Sequence, residues 1–229
     1  MLRPTAMAAG LLGATMLCAS PAHAETLLHL ADTETVIVAP DELTASLRAE
    51  ASSADPADAQ QRVNAAMADA LAHAHKVAGV TVGTGAYAVW HVGPTPQDSS
   101  ERWQASQSLE LTSHDSAALL TLVGTLQHNG LAIGGLGWRL SRDAERKAHD
   151  EATRQAIAAL RGKAQAAAGL LDLRFGSFKE VRLDSAAQVP TPRFVGAMTA
   201  MAAPAPPNAV ATDVPVSATA EADAILLPK

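Results

Sequence analysis

Six histidines, His73, His75, His91, His114, His128 and His149, are the side chains in this 229-residue sequence best suited to metal ligation or proton transfer. On a helix His73 and His75 point to different sides, whereas helical metal ligands need a spacing of four. Glu145 and His149 have that spacing, with Asp150 and Glu151 beside them. Arg146 and Lys147 stand four residues before Asp150 and Glu151, so the cluster reads as a charged helix surface laced by those two pairs. Asp150 and Glu151, solvated there, stay ordinary acids. Neither H-E-x-x-H nor C-x-x-C occurs. Gly134, Gly135 and Gly137 suggest a phosphate loop, but the third residue after Gly137 is Leu140, and the glycines lie inside an apolar run rather than at a helix start. Gly162-Lys163 lacks the preceding glycine of a P-loop. No G-x-S-x-G or S-x-x-K is present. The sequence therefore assigns no catalytic, cofactor-binding or metal-binding residue, and the expectation is a protein that is not an enzyme.

Residues 1–24 read as a secretory leader: Arg3, an apolar core over 6–19, and Ala22-His23-Ala24 as an A-x-A site. The sole cysteine, Cys18, follows Leu17, where a lipoprotein signal wants a small residue, so cleavage after Ala24 and a periplasmic location are expected. Cleavage would leave no thiol. It removes one of 17 basic residues and none of 23 acidic ones, taking the formal charge from −6 to −7. An acidic chain without a basic run argues against nucleic acid and anionic lipid. No later run approaches the ~20 apolar residues of a membrane span.

The elements that would position any site follow from periodicity. Residues 28–38 form an apolar strand, and Pro40-Asp41 a turn. Leu43, Ala45, Leu47, Ala49 and Ala51 then alternate with polar residues, so the two strands read as a first hairpin. Asp55-Pro56 starts a helix striped by Val63, Met67, Ala70, Leu71, Ala74 and Val77 and ended by Gly79. Residues 84–92 and the alternating Trp103, Ala105, Gln107, Leu109 and Leu111 make a second hairpin. A helix follows, capped by Ser113 or Asp115, striped by Leu119, Leu122, Val123 and Leu126, and closed by Asn129-Gly130.

The glycine-studded strand 131–140 leads through Ser141 into the longest helical pattern. Its stripe is Ala144, Ala148, Ala152, Ala156, Leu160, Ala164 and Ala168, and it stops at Gly169. Residues 173–183 form a strand. Val214, Val216, Ala218, Ala220, Ala222 and Ala224 alternate in the last one. Between them, residues 185–212 are too rich in proline to extend a ladder and read as a long mobile loop. The order ββα, ββα, βα, ββ gives a two-layer α+β domain over 25–229, largely antiparallel, with helices on one sheet face.

Several stretches, taken in order, resemble the SIMPL-domain family. They are Val36-Ile37-Val38-Ala39-Pro40-Asp41, Gly79-Val80, Trp103-Gln104-Ala105-Ser106-Gln107-Ser108-Leu109, Gly137-Trp138-Arg139-Leu140-Ser141, and the alanine-rich helix over 151–169. Bacterial members are secreted or periplasmic, some linked to oxidative-stress defence. The chain departs where relatives tend to place glycines, holding Asp32 and Glu34, and has Arg102-Trp103 in place of a Gly-Tyr pair. The resemblance implies no agreed catalytic residue. Since some similar proteins form rings or channel-like oligomers, it implies a homo-oligomer, with an envelope protein as a further partner. Met198 and Met201 fall in the expected loop, where thioethers would take up oxidant or pack on a neighbouring subunit. The competing expectation is a small-ligand binder or hydrolase whose groups meet only in three dimensions.

Overall fold

Alternation decides the first layer. Along β2 (Glu42–Ser53) the side chains of Leu43, Ala45, Leu47 and Ala49 are buried while Arg48 and Glu50 stay wet. In the computed structural model, which describes residues 25–94, 100–183 and 209–229, this strand is paired on both edges. β4 (Arg102–Ser113) lies on one side and β5 (Ala132–Arg139) on the other, and β3 (Val80–Val92) adds outside β4. All pairings are antiparallel, giving the order β3-β4-β2-β5. Helices α1 (Pro56–Ala74) and α2 (Ser116–His128) cover one face. Of the predicted α1 stripe, Val63, Met67, Ala70 and Ala74 are buried, with Ala59 beside them. Leu71 is half-buried, and Val77 lies beyond the helix, which ends at Ala74 and not at Gly79. On α2 the predicted Leu119, Leu122, Val123 and Leu126 are all buried. Asp55 caps α1, accepting from the Ala57 N–H at 2.9 Å. Of the two candidate caps for α2, Asp115 accepts from the Ala118 N–H, while Ser113 accepts from the Asp115 N–H and donates to the Gly79 carbonyl.

The second layer is separate. β1 (Thr26–Val38) pairs residue for residue with β7 (Val214–Pro228), from Thr26 opposite Leu226 to Val38 opposite Val214. β6 (Leu173–Leu183) lies on the other side of β7, so the order is β1-β7-β6. The expected hairpin between the first two strands is therefore corrected. Pro40 and its neighbours carry the chain from one sheet to the other, because both edges of β2 are taken and β7 offers β1 a full-length partner. The antiparallel α+β arrangement with helices against one side holds, but its strands divide between two sheets. Each sheet has its own helical cover and its own buried core.

α3 (Arg142–Leu170) covers the three-stranded sheet. At 1.5 Å per residue its 29 residues span about 43 Å, comparable with the strands beneath. Ala148, Ala152, Ala156, Leu160, Ala164 and Ala168 are buried against Val216, Ala218, Ala220, Ala222, Ala224 and Leu226 of β7 and its neighbours. Facing alanines let the helix axis lie close to the sheet. A stripe of strict period four advances by about 40° per step around the helix, so the contact follows an inclined ridge that matches a twisted sheet. The helix runs through Gly169 instead of stopping there, and the left-handed residue after it is Asp172, with φ 57°. Lys163 reaches down to Asp32 at 2.9 Å, and Asp32 is mostly covered. One departure from the family's glycines is thus an ion pair holding α3 to β1.

The open faces carry polar cross-strand pairs. On β1 and β7, Thr33 bonds Thr219, Thr35 bonds Ser217, and His29 bonds Asp223, whose carboxyl this contact holds below the usual value. On the four-stranded sheet Ser46 donates to Glu110 at 2.8 Å. The glycine-rich β5 carries a bulge against its partner. Register shifts between Ser46 and Leu47, leaving Gly134 as the extra residue, where an added Cβ would meet the Ser46 carbonyl at ordinary contact distance.

Candidate functional site at the lobe junction

Residues 42–139 form one lobe, and β1, α3, β6 and β7 the other. The chain crosses between them at 39–41 and again at 140–141. At this seam Ser141 sets the helix start: its hydroxyl accepts from the Ala144 N–H at 3.2 Å. The same hydroxyl donates to Asp41 Oδ2 at 2.7 Å, and the Ser141 N–H donates to Oδ1 at 2.6 Å. From the β4–α2 turn, His114 Nδ1 lies 2.7 Å from the Asp41 carbonyl, which requires Nδ1 to carry the proton, and 3.7 Å from Asp41 Oδ2. Partial burial pushes the Asp41 carboxyl up, but the two Ser141 donors, its own N–H and His114 outweigh that, so its pKa lies below the usual carboxylate value.

Around this knot lies an open cleft of about 480 Å3, lined by Asp41, Glu42, His114, Arg139, Ser141, Arg142 and Asp143. An adjoining cavity of about 320 Å3 shares Glu42, Arg139 and Arg142 and adds Glu145 and an apolar floor of Trp138, Leu140 and Val214. Arg139 pairs with Glu42 at 2.6 Å, and the Trp138 indole N–H donates to the Ala209 carbonyl at 3.1 Å.

Serine, histidine and aspartate meet here in an order that does not activate the serine. In hydrolytic triads the imidazole stands between hydroxyl and carboxylate. Here the carboxylate stands in the middle, the imidazole is bonded to a backbone carbonyl, and the hydroxyl accepts a helix N–H. A carboxylate with a lowered pKa is a weak base. What the arrangement does is fasten the start of α3 to the crossing between lobes.

The residues weighed for chemistry lie apart. His73 bonds the Asp69 carbonyl, His75 caps the end of α1, and His91 packs edge-on against Trp103 at 5.1 Å. On α3, Arg146 turns to Asp143 and Glu151 takes Arg154 and Gln155, replacing the expected pairs with Asp150 and Lys147. His149 is half buried, and its Nε2 is buried without a partner. Among the described residues no three His, Cys, Asp or Glu side chains gather as a metal ion would require, and no helix is long and apolar enough to cross a membrane. The leader with Cys18, and Met198 and Met201 with most of residues 185–212, lie outside the described residues. The seam itself escaped the sequence reading, although both of its sides were visible as the landmark stretches ending in Asp41 and Ser141.

No curated protein matches the chain. A family match extends over residues 32–224, from within β1 to within β7, and so takes in both lobes and the seam. The chain belongs to the SIMPL family, described as a protein of unknown function (DUF541).

Proposed function

We propose that this is a non-enzymatic periplasmic protein, delivered by a leader removed after Ala24, that acts through self-assembly or protein contact in defence of the envelope against oxidative stress. The observation that carries the reading is the seam. Among the described residues, the place where Ser141, His114 and Asp41 converge has its hydroxyl engaged as a helix cap and its imidazole on a carbonyl. Light scattering on the cleaved protein at micromolar concentration tests the assembly: a mass of two or more chains is expected, and a strict monomer would refute it. Recovery of a chain beginning at Glu25 from the periplasmic fraction tests the location. Peroxide survival of a strain carrying Met198→Leu with Met201→Leu separates scavenging, which the double substitution abolishes, from scaffolding, which it spares.

The cavity floored by Trp138, Leu140 and Val214 favours a second reading, a binder of small amphipathic molecules or a hydrolase acting on them. A saturable change in tryptophan emission on adding such molecules, lost in Leu140→Arg, would support it over the first.

A further inference from the structure

β3 is the outer strand of its sheet, paired with β4 on one edge and with no strand on the other among the described residues. An open edge offers a row of free N–H and C=O groups, which proteins ordinarily guard with charge, proline, bulges or shortness. The other edges are guarded. β6 carries Arg174, Lys179, Glu180 and Arg182 and two register shifts; β5 is eight residues long with a bulge; β1 holds Asp32 and Glu34. β3 shares one such device, a register shift between Thr84 and Tyr87, but runs thirteen residues without a single Asp, Glu, Lys, Arg or Pro. It also carries the chain's one tyrosine and one of its three tryptophans, Tyr87 and Trp90, 42% and 39% exposed. Aromatic enrichment with depletion of charge is the composition of an interface core.

We propose that β3 is the surface through which two copies of this chain pair, edge to edge and antiparallel about a two-fold axis. This rests on the self-assembly reading above and names its contact. Charge selects the edge: a chain of net charge −6 repels its copy, and β3 is an edge where no Asp, Glu, Lys or Arg meets its own image. A two-fold contact must also be self-complementary. The faces fix the register. Before the irregularity between Thr84 and Tyr87, even-numbered residues share the helix-covered face, Val82 opposite Leu111 and Thr84 opposite Leu109; after it, odd-numbered residues do, Tyr87 opposite Gln107 and Val89 opposite Ala105. Matching faces across the new contact therefore needs an even residue opposite an odd one. A central axis between Gly85 and Ala86 satisfies this. It sets Tyr87 against the copy's Thr84 and Trp90 against its Thr81, aromatic on β-branched, a favourable cross-strand combination.

The test uses the chain with Cys18→Ser, leaving it free of cysteine. Gly83→Cys with Ala88→Cys places thiols opposite one another between copies but too far apart along one strand to join within a chain. Expected is a disulfide-linked dimer under mild oxidation, absent when Gly83→Cys stands alone. Thr81→Lys with Ala88→Lys should halve the mass seen by light scattering, whereas Ser177→Lys on β6 should not change it. An assembly with unaltered mass in the lysine variant and no cross-link overturns the β3 contact and leaves self-assembly standing. A monomeric parent overturns both, and a dimer-free sample in which β3 captures another protein's strand overturns the choice of a second copy. Should the lysine variant lose its circular dichroism, the cross-link alone decides.

Discussion

Asp41→Ala and Ser141→Ala, made singly and together, measure the fastening between the lobes. The native carboxylate accepts two short bonds from Ser141, at 2.6 and 2.7 Å. Hydrogen bonds to a charged group are worth about 1.5–3 kcal/mol each when fully shielded. The Asp41 side chain is 39% exposed, so water replaces much of that loss, and Asp41→Ala should cost about 1.5 kcal/mol. Ser141→Ala leaves its own N–H bond to Asp41 in place but removes both the hydroxyl bond and the helix cap, itself worth about 1 kcal/mol, for a total near 2. Because the hydroxyl bond is lost in either variant, the double variant should fall short of additivity by about 1 kcal/mol. Urea denaturation followed by circular dichroism gives the four stabilities. The pH dependence supplies a second check. The folded pKa of Asp41 is depressed, so its contribution is complete above the ordinary carboxylate value of 3.8 and is lost as the pH falls through the lower folded value. Coupling should be equal at pH 7 and pH 5 and shrink below 3.8. A coupling under about 0.3 kcal/mol at pH 7, or one that grows on acidification, would refute the fastening.

Leu160→Ala, opening a cavity in the smaller core, should cost about 2–5 kcal/mol, and Ala156→Leu, forcing α3 off the sheet, about 1–3 kcal/mol. Native-state hydrogen exchange should show both losses in α3 and β7 before α1 and β2; uniform loss would contradict separate cores. At the left-handed position after α3, Asp172→Ala should lose about 1 kcal/mol while Asp172→Gly loses nothing, as thermal unfolding can decide. Trp138→Phe keeps the apolar floor and drops the bond to Ala209, so a loss of about 1 kcal/mol is expected in the same assay.

Periodicity made the local elements legible because burial acts residue by residue. Most of the β2 alternation, of the α1 stripe and of the period-four face of α3, and the whole α2 stripe, reappear as buried side chains. Ala51, Leu71, Val77 and Ala144, at the ends and margins of those patterns, stay half-buried. Pairing was not legible. Nothing local in 28–38 says whether its partner is the next strand or one nearly two hundred residues later, since either would cover the same apolar face. The glycine run of β5 was read correctly as strand, but the helix it feeds lies on the other sheet. Asp41 was legible only as a turn residue, His114 only as one of six histidines with no ligand partner in its own stretch, and Ser141 only as the entry to the long helix. Their meeting depends on the chain crossing the same seam twice, a hundred residues apart, and no pattern within a helix or strand records that. The helix ends one residue beyond the expected stop at Gly169, and Leu170, the residue added, is 88% exposed, while the last buried position is Ala168.

The lobe spanning 42–139 begins and finishes on neighbours. Glu42 and Arg139 are register partners in an antiparallel ladder, which sets their Cα atoms roughly 5 Å apart, and Asp41 and Ser141, just beyond, already touch through hydrogen bonds. The segment is thus built like a cassette whose two leads emerge side by side. Excised, it carries its own core away intact; the remainder can be sealed by a glycine or two, and a foreign module with similarly adjacent ends could be grafted in its stead.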